Sequence, residues 1–132
     1  MYISTTLIAA GDPEWNSIFT RAFRKTGSEI HSTLEGETAV NLVRNNVYDH
    51  ILVDESLKRI RYIEFLFNLT DLLKYPAKII VTGDDLRKFE KVWKHCGVTL
   101  SGTRDKILTR IKSGIPLSRN HPDVSMKDIL RK

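Results

Sequence analysis

The chain has 132 residues, of which 41% are hydrophobic and 28% charged, a balance that suits one packed domain and is too apolar for a disordered polymer. Its net charge of +5 is unevenly placed: residues 1–83 carry 9 Lys and Arg against 10 Asp and Glu, whereas residues 84–132 carry 12 against 6. No apolar run approaches the roughly eighteen residues of a membrane span, and the first ten residues lack a basic region followed by an apolar signal core, so a soluble, cytoplasmic protein is expected.

Along the chain, short apolar runs alternate with segments of helical period, the pattern of a parallel sheet with crossover helices. Thr6 to Ala10 reads as a first strand, ended by Gly11. Asp12 then reads as a helix N-cap and Pro13 as a first-turn residue. Trp15, Ile18, Phe19, Ala22 and Phe23 form one apolar stripe, and Gly27 stops that helix. Residues 29–34 give a weaker second strand and residues 36–46 a helix with Ala39, Leu42 and Val43 facing the core. His50 to Asp54 is the clearest strand, an apolar run delivering a carboxylate at its end, as a central parallel strand does.

A third helix follows around Tyr62, Phe65, Leu66, Leu69, Leu72 and Leu73, broken by Pro76, and Lys78 to Thr82 is the fourth strand. Asp84 or Asp85 is expected to cap a fourth helix with Leu86, Phe89, Trp93 and Cys96 on one face, ended by Gly97. Val98 to Leu100 reads as a short fifth strand and residues 104–113 as a fifth helix around Ile107, Leu108 and Ile111. Residues 1–113 thus form one doubly wound α/β unit, a five-stranded parallel sheet of flavodoxin-like (βα)5 type, and residues 114–132 read as a tail or linker. That tail either ends the protein or leads to a further effector domain. Such sheets carry their sites outside the carboxyl ends of the strands, which directs attention to Gly11-Asp12, Asp54-Glu55, Thr82-Gly83 and Ser101-Gly102.

Other chemistries leave no trace. Cys96 is the only cysteine, which removes intramolecular disulfides and thiolate zinc cages, and His31, His50, His95 and His121 show no metal-ligand spacing. No metal or other cofactor is expected. Only Gly11 follows the first strand, so no glycine-rich phosphate loop is present and no enzyme is expected.

The segments Tyr48 to Asp54, Lys78 to Gly83 and Gly36-Glu37-Thr38-Ala39, in that layout, resemble the receiver domain of two-component response regulators over roughly residues 5–113. The resemblance implies that Asp54 stands at the family's phosphoacceptor position and Thr82 at its switch hydroxyl. It also exposes departures. Ala10 and Gly11 fall where the family has an acidic pair, with Asp12 one residue late, and Ser101-Gly102 fall where it has Lys-Pro. Aspartyl phosphorylation needs a Mg²⁺ held by carboxylate oxygens, and the pattern here supplies Asp54 alone. The loop after Asp54 is basic, with Lys58, Arg59 and Arg61 standing either as solvated charges or as a replacement cation near Asp54.

Bland roles remain open beside these. Asp54 equally suits a turn cap, Asp12 a helix cap, Thr82 a β-branched strand residue, and His50 a local hydrogen bond. Three functions are weighed. The first is a receiver-like domain, a pseudo-receiver acting by protein–protein interaction without phosphorylation. Its partner face would be the one that the resemblance implies, here carrying Arg87, Lys88, Lys91, Lys94, Arg104, Lys106 and Arg110 and suited to a protein with an acidic surface. The second is a true phosphoacceptor using Asp54, with Asp12 or Glu55 supporting Mg²⁺ and Thr82 as the switch. The third, nucleic-acid binding through the basic C-terminal portion, ranks below both because Trp93 shares an apolar stripe and no nucleic-acid-binding motif is present.

Overall fold

The computed structural model describes residues 3–114. Five parallel strands, β1 (Thr5–Ala9), β2 (Glu29–Thr33), β3 (His50–Asp54), β4 (Lys78–Thr82) and β5 (Val98–Gly102), stand in the order β2-β1-β3-β4-β5. Between and after them run α1 (Pro13–Lys25), α2 (Gly36–Asn45), α3 (Tyr62–Leu72), α4 (Glu90–Trp93) and α5 (Arg104–Lys112). This is the doubly wound α/β architecture that the alternation predicts.

Side chains alternate across each strand, and the sheet therefore builds two cores. Leu7, Ala9, Ile51, Val53, Ile79 and Val81 meet the helices α2, α3 and α4 through residues such as Ala39, Val43, Phe65, Leu66, Leu69 and Trp93. Ile8, Ala10, Leu52 and Ile80 meet α1 and α5 through Phe19, Ala22, Phe23, Ile107 and Ile111. Every residue of β3 is buried, as its continuous apolar run requires. Each large side chain so buried contributes about 1.5–3 kcal/mol.

The start of α1 follows its local chemistry. Asp12 Oδ1 accepts from the backbone N–H groups of Glu14 and Trp15, and Pro13 occupies the first turn, where a missing N–H costs nothing. Gly27 and Gly97 both have positive φ after their helices, +92° and +77°, the left-handed turn glycine adopts without strain.

Two elements depart from the sequence reading. The expected fourth helix is a 3-10 turn at Leu86–Phe89 followed by the single turn of α4. Its apolar stripe is too weak for a regular helix: only Trp93 and Cys96 are fully buried, while Leu86 and Phe89 merely lean on the core. β5 runs two residues past Leu100, because Ser101 and Gly102 pair with Val81 and Thr82. The tail reading of residues 114–132 lies, Gly114 apart, outside the described residues.

Sheet order reverses between β1 and β3, and the side chain of Asp54 stands at that edge, in register with Thr82 on β4. The fold thus brings the ends of β1, β3, β4 and β5 to one rim.

Candidate functional site

Asp54 is the centre of the rim. Its carboxylate is fully buried, yet each of its oxygens is used. Oδ1 accepts from the Thr82 hydroxyl at 2.6 Å and from Arg104 Nε at 2.9 Å. Oδ2 accepts from Arg104 Nη2 at 2.9 Å, from the Ser56 hydroxyl at 2.5 Å and from the Ser56 backbone N–H at 3.0 Å. Five donors on a group with about four lone-pair sites leave no oxygen free for another ligand.

Arg104 is the unexpected member. Placed by sequence on an outward partner face, its side chain is instead only 12% exposed and forks onto Asp54 in the bidentate geometry that suits guanidinium and carboxylate. Its Nη1 reaches Asp84 Oδ2 at 3.0 Å, Nη2 lies 3.9 Å from Glu55 Oε2, and its Cζ sits 5.9 Å from the centre of the Trp15 ring. The physical reason is position: Arg104 opens α5 immediately after β5, so its long side chain folds back over the rim. Burial raises the cost of charging Asp54, but the hydrogen bonds from Arg104, Ser56 and Thr82 outweigh it and hold this carboxyl below its usual value. Arg104 is correspondingly stabilised in its charged form, mainly by the Asp54 hydrogen bond.

The basic loop after β3 does not supply the cation. Lys58 is stitched by its backbone to Leu34 and Gly36, Arg59 pairs with Glu35 at 3.5 Å, and Arg61 lies over the Phe89 ring at 5.5 Å. Glu55, a candidate metal support under the phosphoacceptor reading, turns to the β4–α4 loop, where it accepts from the N–H groups of Asp84 at 2.7 Å and Asp85 at 3.3 Å.

Ala10, Gly11 and Asp12 close the other side. Ala10 is buried in the α1/α5 core. A Cβ on Gly11 would lie 2.0 Å from the Ser56 carbonyl oxygen, so backbone fills the space where a side chain would start. Asp12 commits Oδ1 to the α1 cap, and its N–H donates to Ser56 Oγ at 3.0 Å. Ser101 is exposed on β5 and contributes nothing to Asp54. His50 is buried one strand-length away, its Nδ1 3.4 Å from the Thr6 hydroxyl.

Five βα units around a β2-β1-β3-β4-β5 sheet, with an aspartate ending β3 in register with a threonine ending β4, make this the receiver-type flavodoxin-like fold. No family model and no curated protein matches the sequence. Solved structures match in shape. The CheY-like response regulator receiver domain protein of Methanospirillum hungatei JF-1 has a TM-score of 0.74 at 15% identity, over 90% of this chain and 98% of that one. A Francisella response regulator receiver domain gives 0.72 at 20% identity, over 89% and 99%. The receiver domain of a sensor histidine kinase from Pseudomonas aeruginosa PAO1, with a magnesium ion coordinated in its active-site cleft, gives 0.69 at 14%, over 85% and 97%. At these identities the likeness concerns the fold.

The donor set does not fit such an ion. Positions 10 and 11 offer no oxygen-bearing side chain, Asp12 caps a helix, and both oxygens of Asp54 are occupied by protein donors. Among the described residues, no three His, Cys, Asp or Glu are grouped to hold a metal, and no helix is long and apolar enough to cross a membrane.

Proposed function

We propose that this chain is a receiver-like signalling module that works in a two-component setting through protein contacts, without Mg²⁺-dependent phosphorylation of Asp54. The observation that carries the reading is the Arg104 fork. A phosphoryl transfer needs an accessible aspartate oxygen and a cation free to neutralise the incoming group; here the oxygens are saturated and the nearest cation is committed to the aspartate itself.

The partner face then consists of Arg87, Lys88, Lys91 and Lys94 around α4 with Lys106 and Arg110 on α5, all exposed. A groove of about 630 Å³ beside them is lined by Leu100, Ile107, Lys106 and Arg110 among others. Of the six cations Lys106 and Arg110 line that groove, with Asp105 beside them, and the six outnumber the neighbouring carboxylates Asp85, Glu90 and Asp105, which suits an acidic protein surface by steering and by charge pairing.

Beryllofluoride or acetyl phosphate with Mg²⁺, followed by amide NMR of the whole chain, tests the central claim. No shift is expected at Asp54, Ser56 or Thr82 up to millimolar reagent. Saturable shifts there at sub-millimolar concentration would establish a working phosphoacceptor instead.

A further inference from the structure

We infer that Arg104 is also a positioning residue for the basic face: through Asp84 it fixes the 3-10 turn and α4 relative to α5. This inference rests on the partner-face reading above and adds how that face is held together.

The face is carried on two separate elements. Arg87, Lys88, Lys91 and Lys94 follow the loop containing Asp84, whereas Lys106 and Arg110 follow Arg104 on α5. A cleft of about 440 Å³ lies between them, lined by Leu86, Arg87 and Glu90 on one side and Thr103 and Lys106 on the other. Beside the β4–β5 ladder and the 3.3 Å bond from Gly83 N–H to the Gly102 carbonyl, the Arg104–Asp84 ion pair at 3.0 Å joins the two sides, the one that does so among the described residues.

Both ends of that bridge are anchored. Asp54 fixes the guanidinium through two of its nitrogens, and Glu55 holds the backbone of Asp84 and Asp85. The anchoring has a physical task. The four cations of the first stretch, interleaved with Asp85 and Glu90, and the two on α5, beside Asp105, keep a net positive sign and repel each other at low salt, and the first stretch is short, held to the core by Trp93 while Leu86 and Phe89 are only partly buried. A carboxylate tied to α5 opposes that repulsion and sets the spacing an acidic partner meets.

Asp84→Ala is the cleanest test, because the Asp84 side chain is 73% exposed and the substitution leaves the Asp54–Arg104 fork in place. Amide exchange and ¹H–¹⁵N shifts of the full chain are measured at low and high salt. Exchange at Leu86–Trp93, and at Lys106 and Ile107 in the first turn of α5, is expected to quicken two- to fivefold, more at low salt. Arg104→Lys, which keeps a charge on Asp54 but cannot span to Asp84, should do the same. Changes confined to residues 83–85, with the α5 amides and the Arg104 Nε–H resonance unmoved, would overturn the coupling. The partner reading fails separately: if Lys91→Glu and Lys106→Glu leave binding to poly-L-glutamate unchanged while Asp84→Ala loosens both elements, the bridge stands and the acidic partner does not.

Discussion

Replacing Arg104 by Ala leaves Asp54 buried with no counter-charge. Removing one partner of a buried pair costs about 3–5 kcal/mol, because the remaining ion keeps its desolvation penalty. With Arg104 in place Asp54 has no exposed surface, and the Thr82 and Ser56 bonds offset only part of the loss. Urea unfolding, followed through Trp15 and Trp93, should show the midpoint falling by about 2 M if the slope is near 1.5–2 kcal/mol per molar. The deficit should shrink as the pH falls, since the unpaired carboxyl takes up a proton more readily than the paired one. Arg104→Lys should retain about half of the stability, and Asp54→Leu combined with Arg104→Leu should come within about 1–2 kcal/mol of the parent, because it removes both charges and fills the space with apolar groups. A loss below about 1 kcal/mol for Arg104→Ala, the range of an exposed ion pair, would refute the assignment of Arg104 as the internal cation.

In the unsubstituted protein the Asp54 carboxyl is held below its usual 3.8, so its contribution is complete above that value and is lost as pH falls through the lower, folded value; thermal melts from pH 5 to pH 2 should lose a component that Asp54→Asn lacks. Tyr48, buried and pushed up to about 12 from 10.0, acts in the opposite sense: its contribution is complete below 10 and lost between about 10 and 12, a decline that Tyr48→Phe should reduce in alkaline unfolding curves. Gly11→Asp places an acidic residue there but drives a Cβ against the Ser56 carbonyl; it should cost at least about 2 kcal/mol, with a melting temperature indifferent to added Mg²⁺. Gly83→Ala places a Cβ 2.6 Å from the Glu55 carboxyl carbon, which is the end of a flexible side chain; Glu55 should swing away at a cost of about 1 kcal/mol, with faster exchange of the Asp84 and Asp85 amides as the readout.

Much of this fold was legible because its elements obey local rules. The five-residue strand β3 with its apolar centre Ile51-Leu52-Val53, the Asp12-Pro13 start of α1 and the glycines at 27 and 97 each act through near neighbours, and the structure places them as the pattern predicts. Spacing alone overstates the stripe of the fourth helix: Leu86 and Phe89 have the right period but only half-bury, and burial is what makes a short helix persist. The last two residues of β5, Ser101 and Gly102, carry no strand propensity; their pairing with β4 is imposed from outside the segment.

The site was half legible for a related reason. Asp54 and Thr82 end neighbouring strands, and their register follows from the sheet, so a sequence reading brings them together. Arg104 arrives fifty residues after Asp54 by way of the tertiary fold, and its role leaves a single local mark: a cation opening a helix, where the dipole disfavours positive charge unless a carboxylate holds it. Lys106 shares that first turn but stays exposed, as does Arg110 further along the helix, so the mark alone does not single out Arg104. The rim has no acidic residue at positions 10 and 11 and no lysine at 101, and Arg104 is the cation that Asp54 meets there. A buried aspartate without a cation would be costly to stability; with one supplied three residues beyond Ser101, the carboxylate is a structural tie joining Ser56, Thr82 and Arg104, and through Arg104 the loop of Asp84.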